Sequence, residues 1–363
     1  MGSMRLMSSH GPNLHRVSED GRYLLLATDS DVQGAYSGYT QVAKHVTHAV
    51  LLRNRRREPR TFLTRAAQQC LNQFTGSRWY RFSSVQPEMR AWLRCQAGFA
   101  ELVHFLWGER DWGIIDRLPT RRRPKVCATF HACADTLPDT LRASRLASLD
   151  GVILMSETQR AFFRDRGVDN EKIEVIPHGI DLTFFHPIEA KADDQFTVLF
   201  VGSYRRRFDL LKRVIQVVGS LHPEISFVVI ASSEKTRELE GLVNVRLPRN
   251  VSDADLRRLY CSSSCLLMTL EAATANNAIL EAMACELPIV SEDVGGIREY
   301  VGDAGILVPP GSVNELVSAI LSLYRDRGEA MRLGRLAGVR AKSFDWPIIA
   351  DRTKAFYRRI LER

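Results

Sequence analysis

From residue 195 onward, short continuous apolar runs alternate with stretches whose apolar residues recur at helical spacing, and this constrains the fold more than any other feature. Residues 197–202, 225–232, 243–247, 265–270, 287–290 and 305–308 are mostly β-branched or Leu-rich, as strands of a parallel sheet covered on both faces must be. Between them, residues 210–221, 254–260, 278–285 and 313–324 carry the helical period. Ser252, three residues before Asp255, predicts a capping box with Asp in place of Glu. Strand-helix alternation at this spacing predicts a doubly wound α/β sheet.

The first half follows the same grammar less cleanly. Residues 23–28, 102–107, 126–130, 152–155 and 173–176 read as strands, and Ser156 with Gln159 forms a capping box opening a helix that Gly167 closes. Residues 50–100, Arg-rich with Trp79, Tyr80 and Trp92, read as helical and irregular. A chain of 363 residues is long enough for each half to bury its own core. The expected architecture is α/β, two Rossmann-like doubly wound domains facing across a cleft: residues 1–187 on the acceptor side and 188–345 on the nucleotide side, with a linker near 185–194. Residues 346–363, apolar at Ile348, Ile349, Ala355, Phe356 and Ile360, predict a final helix packing back on the first domain. Ligands of such sheets bind at the carboxyl ends of the strands.

The net charge of +8 is uneven: residues 50–125 hold 16 Lys/Arg against 6 Asp/Glu, and the rest of the chain sums to about −2. The excess gathers at Arg53, Arg55, Arg56, Arg57 and Arg60, and again at Arg121, Arg122, Arg123 and Lys125. Such a patch suits an anionic partner, a lipid headgroup or a phosphate-bearing substrate; a solvated loop is the bland alternative. No nucleic-acid-binding signature accompanies it, so nucleic acid is not expected as a partner. Seven cysteines without a CxxC pair give no readable metal or redox motif and fit reduced thiols. No run of about 18 apolar residues occurs. Met1-Gly2-Ser3-Met4 reads as an added leader before a native Met4 with no signal-peptide core after it. The expected location is cytoplasmic, with peripheral contact at the inner face of the membrane through the basic first domain as a further expectation.

The most informative stretch begins Asn276-Asn277-Ala278-Ile279-Leu280-Glu281, where a strand ends near Leu270 and a helix starts at about Asn276. Free backbone N–H groups at a helix start make an anion site, and Glu281, about one turn in, can accept both ribose hydroxyls of a nucleotide. Alternatively it is one more helix-surface glutamate. The run NNAILEAMACELPIVSEDVGGIREYV, then GILVPPGSVNELVSAI, closely resembles the retaining glycosyltransferases of family four, which have the GT-B fold. Ile176-Pro177-His178-Gly179-Ile180-Asp181 with Phe184-Phe185 resembles that family's interdomain motif, and Phe200-Val201-Gly202 its opening strand and glycine. The resemblance covers residues 150–345 well and the first 125 loosely.

The resemblance implies a Glu-x7-Glu pair at the donor site. Its second glutamate corresponds to Glu281, on the donor ribose, while Ala273 stands where the first is expected. Glu271, or Thr274, Asn276 and Asn277, would then hold the sugar; lost activity is the third alternative. Gly202 and Arg205 join the implied donor site. Stabilising the departing diphosphate falls to one or two of Arg205, Arg206, Arg207 and Lys212, the spacing after the glycine being about two residues short of the family's. His131, ending a strand, matches a family histidine that contacts the transferred sugar; by itself it reads as a satisfied core residue. Gly34, Ser37 and Gly38 fall in the loop bordering acceptor and diphosphate. Asp29-Ser30-Asp31 is a D-x-D in the wrong context for a metal and reads as a turn, and Gly295-Gly296 belongs to no dinucleotide fingerprint. The implied function is a retaining transfer from a nucleotide-diphosphate sugar to a glycan, lipid-linked or small-molecule acceptor, with no metal and no cofactor. The alternatives are a catalytically degraded GT-B chain that binds a nucleotide as a partner subunit, and an epimerase of the same fold, for which no acid–base set is read.

Overall fold

The structure, a computed structural model, describes residues 22–29, 36–55, 61–141, 143–188 and 195–363. Gly34, Asp31, Arg56, Arg57, Arg60 and most of the expected linker lie outside the described residues. Among the described residues twelve strands form two six-stranded sheets, every pairing parallel. The first orders β1 (Tyr23–Asp29), β2 (Ala49–Arg55), β3 (Leu102–Phe105), β4 (Lys125–Phe130), β5 (Gly151–Leu154) and β6 (Ile173–Val175) as β2-β1-β3-β4-β5-β6. The second orders β7 (Thr197–Val201), β8 (Ser226–Ile230), β9 (Val245–Arg246), β10 (Cys265–Met268), β11 (Ile289–Glu292) and β12 (Gly305–Val308) as β12-β11-β10-β7-β8-β9. Each sheet reverses its strand order once, between β1 and β3 and between β7 and β10, so each has one switch-point crevice at its carboxyl edge.

One expectation needs correcting. The stretch 50–100 is not helical throughout: it opens with β2 before the helices Phe62–Thr75 and Phe82–Gln96. The arginines hid a strand because β2 lies on the sheet edge, where Val50, Leu51 and Leu52 are only half-buried and charge is tolerated. Local capping chemistry also differs in detail. Gln159 reaches back to the Ser156 backbone, but the box opens a short 3-10 turn, Glu157–Gln159, that leads into the helix Arg160–Arg164. At Ser252 the shorter Asp255 side chain meets the serine hydroxyl at 2.5 Å rather than its backbone N–H.

Two-sided burial explains the unbroken apolar strands. On one face of the first sheet Leu24, Leu26, Val103 and Phe105 pack with Ala91 and Cys95 of the helix Phe82–Gln96. On the other, Leu25, Leu102 and Cys127 meet Trp346, Ile349, Phe356, Tyr357 and Ile360 of the last helix, Trp346–Glu362. Within that apolar layer His104 bonds Tyr357 through Nδ1 at 2.5 Å and Thr129 through Nε2 at 2.7 Å. Burial lowers its pKa to about 3, so the ring is neutral.

The last helix is seated by the 176–181 segment. Ile180 N–H donates to the Phe344 carbonyl at 2.8 Å and Trp346 N–H to the Ile180 carbonyl at 3.2 Å. A Cβ on Gly179 would lie 2.3 Å from the Trp346 ring, whose rigid indole cannot yield. Gly179→Ala is therefore expected to cost about 1–3 kcal/mol, read as a lower urea midpoint. An unchanged midpoint would mean that this junction is not tightly packed.

Candidate active site

The carboxyl edges of the two sheets meet. Ser156 Oγ donates to Glu299 at 3.0 Å and Glu157 N–H to the same carboxylate at 3.0 Å. Tyr300 Oη donates to the Met155 carbonyl at 2.8 Å and accepts His178 N–H at 2.9 Å. Thr274 Oγ1 donates to the His131 carbonyl at 2.7 Å. Gly295 and Gly296 belong to this junction: a Cβ on Gly295 would sit 2.0 Å from the Ala273 carbonyl oxygen, and one on Gly296 2.2 Å from that of Thr274. The glycine pair thus lets the 293–296 loop close on the backbone of the 273–274 loop.

At the second switch point, β7 ends at Val201, just before Gly202, and the helix Asn277–Ala284 starts after β10. Asn276 caps that helix, its side chain accepting Ile279 N–H at 3.3 Å. Gly202 has φ +100°, and a Cβ there would stand 3.0 Å from Arg206 Nη2, so glycine lets the arginine lie across the strand end. Arg206 donates to the carbonyls of Val201 and Tyr204 and, at 3.4 Å, to Asn276 Oδ1. Among the described residues no carboxylate pairs with it. Burial lowers its pKa to about 10, leaving it charged at neutral pH. A half-buried cation beside a capped helix start has the charge and the free N–H groups that suit an anion.

The other three basic candidates are engaged elsewhere. Arg205 reaches the first sheet's side, donating to Asp135 Oδ2 and Thr136 Oγ1, both at 2.6 Å. Arg207 pairs with Glu292 at 3.1 Å, a fully buried carboxylate that also accepts Leu270 N–H at 2.7 Å and Gly311 N–H at 2.5 Å. Lys212 pairs at 3.8 Å with the exposed Glu238. Arg206 alone of the four borders Gly202, Asn276 and the helix start.

Glu281 is buried, 4% exposed, with both carboxylate oxygens engaged: Ser37 Oγ donates to one at 2.5 Å and Tyr260 Oη to the other at 2.8 Å. Burial raises its pKa to about 7 against the pull of those two hydroxyls. Ser37 and Gly38, the latter at φ 102°, thus bring the loop after β1 onto the carboxylate that the resemblance assigns to ribose. Ala273 is buried, with its carbonyl accepting Gly296 N–H at 2.9 Å; Glu271 is exposed, its backbone N–H on the Arg205 carbonyl at 3.1 Å. Thr274 and Asn276 are buried, and Asn277 is half-buried.

Across the junction His131 stacks on Trp107, centroids 5.2 Å apart, and meets Tyr39 edge-on. Its Nε2 lies 2.8 Å from the Leu106 carbonyl, which fixes the proton there and leaves Nδ1 as the acceptor. Burial lowers its pKa to about 3, with the neighbouring His178 adding to the shift, so the ring is neutral. Glu109 accepts the backbone N–H groups of His131 and Ala132 at 3.0 and 3.1 Å and so orients this corner.

Glu109, Tyr260, Asp135 and Glu292 escaped sequence reasoning. Each acts by holding another group, and only the tertiary fold reveals the partner. The sole available hint was acids standing in otherwise apolar or Arg-rich runs.

Two parallel doubly wound sheets with facing carboxyl edges define the GT-B class. The chain belongs to the family-four-like glycosyltransferases of that fold. Residues 72–184 match the family model described as Glycosyltransferase Family 4, and residues 195–326 the model described as Glycosyl transferases group 1. Among similar proteins, the D-inositol 3-phosphate glycosyltransferase of Kineococcus radiotolerans is 27% identical over 54% of this chain and 54% of its own length. One subunit of the human phosphatidylinositol N-acetylglucosaminyltransferase is 26% identical over 64% of this chain and 50% of its own. The chain thus spans about half the length of the curated relatives it matches. Among solved structures, sucrose-phosphate synthase from Thermosynechococcus elongatus superposes with TM-score 0.68 at 20% identity, covering 94% of this chain and 99% of that one. Anabaena HepE in complex with UDP and glucose gives 0.64 at 16%, covering 93% and 99%. At these identities the superpositions speak for the fold.

Proposed function

We propose that this chain transfers a sugar from a nucleoside-diphosphate sugar to an acceptor hydroxyl with retention of configuration. The observation that carries the reading is the half-buried Arg206 guanidinium, without a carboxylate partner among the described residues, beside the Asn276-capped helix start and one helical turn from Glu281. The diphosphate occupies the helix start and Arg206. The ribose takes Glu281 from Ser37, and the sugar lies towards Thr274 and His131. The bond from the anomeric carbon to phosphate breaks as the acceptor oxygen bonds that carbon on the same face, and the acceptor proton passes to the leaving phosphate oxygen. The chain supplies positioning and charge stabilisation where negative charge grows. On this reading no metal and no cofactor are required.

For the donor, UDP is the first nucleotide to test, since the Anabaena neighbour is described with UDP. For the acceptor, the two relatives, one named for an inositol phosphate and one for phosphatidylinositol, together with the basic first domain, support a phosphate-bearing or lipid-linked acceptor reached from the cytoplasmic face of a membrane. One observation favours a second reading, a nucleotide-binding partner subunit without turnover: Ala273, not a carboxylate, occupies the buried position that the resemblance assigns to the sugar. Incubation with UDP-sugars and an inositol phosphate separates the two. An α-linked product from an α-linked donor, seen in the anomeric proton coupling, supports transfer with retention. A β-linked product overturns retention, and saturable binding without transfer or donor hydrolysis supports the partner-subunit reading.

The raised pKa of Glu281 adds a pH test. Ribose hydroxyls donate to the carboxylate form, so binding lowers its pKa and expels a proton below about pH 7. Affinity for the intact nucleotide sugar, whose diphosphate diester does not titrate here, is expected to rise on the order of tenfold between about pH 6 and about pH 8. Glu281→Gln is expected to flatten that slope in calorimetric titrations. An equal slope in the variant would remove Glu281 from the ribose.

A further inference from the structure

The helix Phe62–Thr75 is built inside out. Its inward side is polar: Gln68 Nε2 donates to the Tyr80 carbonyl at 2.8 Å, Gln68 Oε1 accepts Phe82 N–H at 3.3 Å, and Asn72 Nδ2 donates to the Arg78 carbonyl at 3.0 Å. Thr75 is fully buried beside them. Its outward side is apolar. Leu63, Ala67, Cys70 and Phe74, spaced to share one helical face, are exposed, and Phe62 borders them. Phe62 is 83% exposed, Leu63 78% and Phe74 56%, whereas a helix serving only the core would turn these residues inward.

We infer that this helix face is a docking surface for an anionic lipid bilayer. The choice of occupant rests on charge. The face belongs to the 50–125 stretch with its excess of ten positive charges, and exposed Arg65 and Arg78 lie on the helix and just beyond it. A second copy of this chain would bring the same positive field against itself, while an anionic surface attracts it. The exposed Arg117 lies over the Phe74 ring, 4.8 Å from its centroid, so the apolar face carries a cation at its edge, the pattern that lies in a bilayer interface with aromatic and leucine side chains entering the acyl boundary. No helix among the described residues is long and apolar enough to cross a membrane, so the contact is peripheral. The helix follows β2 after a short connection, so its first residues lie towards the carboxyl edge of the first sheet, where the candidate site opens. Docking there would bring a lipid-linked phosphate to the acceptor side. The inference extends that part of the proposed function, but its test needs neither donor nor turnover.

The experiment is co-sedimentation of the full chain with vesicles of phosphatidylcholine alone and of phosphatidylcholine with about 30% phosphatidylglycerol, at low and high salt. Binding to the anionic vesicles, weakened by salt, is expected. The charge-neutral variant Phe62→Gln/Leu63→Gln is expected to bind at least about tenfold more weakly while keeping its thermal midpoint, because both side chains are exposed. Val339→Gln, an exposed apolar residue on the helix Arg327–Ala341, is expected to bind as wild type. Absence of binding to anionic vesicles, or equal binding by the double variant, overturns the proposal. So does concentration-dependent self-association that the double variant abolishes, since the face would then belong to a second copy.

Discussion

Glu281→Ala is expected to weaken nucleotide-sugar binding on the order of 100-fold, the equivalent of one or two hydrogen bonds to a charged group. The carboxylate sits one helical turn past Asn276, and its oxygens already hold two hydroxyls, those of Ser37 and Tyr260. On the proposed reading a ribose hydroxyl takes the place of Ser37 on one oxygen, while the buried Tyr260 keeps its bond to the other. Removing the carboxylate also leaves the buried Tyr260 hydroxyl without its acceptor, so some loss of stability accompanies the loss of affinity. Calorimetric titration at a temperature where the variant remains folded separates the two effects. Wild-type affinity in folded Glu281→Ala would place the nucleotide elsewhere.

Arg206→Met is expected to lower the rate of transfer about 100- to 1000-fold, with a smaller effect on donor binding, because the charge it faces grows as the sugar leaves. The neighbouring arginine provides the contrast. Arg207→Met strands the fully buried Glu292 and is expected to cost about 1–3 kcal/mol of stability, discounted from a fully buried pair because Arg207 is 31% exposed. A folded Arg207→Met should retain more transfer activity than Arg206→Met. The reverse order would move the diphosphate to the Arg207 side of the strand end.

Much of the fold was legible because parallel strands covered on both faces leave unbroken apolar runs. β7, β8, β10 and β12 all fall within the runs read in the second half, and β11, Ile289–Glu292, begins inside its run and continues two residues past it. What stayed hidden has physical causes. β2 lies on an edge and ends among arginines, so its burial is partial and its signal weak. The helix Arg327–Ala341 carries Gly334 and Gly338 where it packs on Glu286, and glycine contributes nothing to an apolar period. In the site, the resemblance placed Glu281 and Gly202, but four cations stood within eight residues and spacing alone did not separate them. The partners separate them: Asp135 for Arg205, Glu292 for Arg207, Glu238 for Lys212, and for Arg206 only carbonyls and an amide oxygen. Such partners come from residues distant in sequence, which no local pattern encodes.

A nucleoside-diphosphate site in the crevice between β7 and β10 must bind nucleotide through Arg206. UDP, GDP and ADP are titrated calorimetrically into the wild-type chain with EDTA present, and the nucleotide that binds is then titrated into Arg206→Met. Saturable one-to-one binding of one of the three without metal is expected, weakened at least about tenfold by the substitution. Absence of binding by all three, or equal affinity in a folded Arg206→Met, would contradict it.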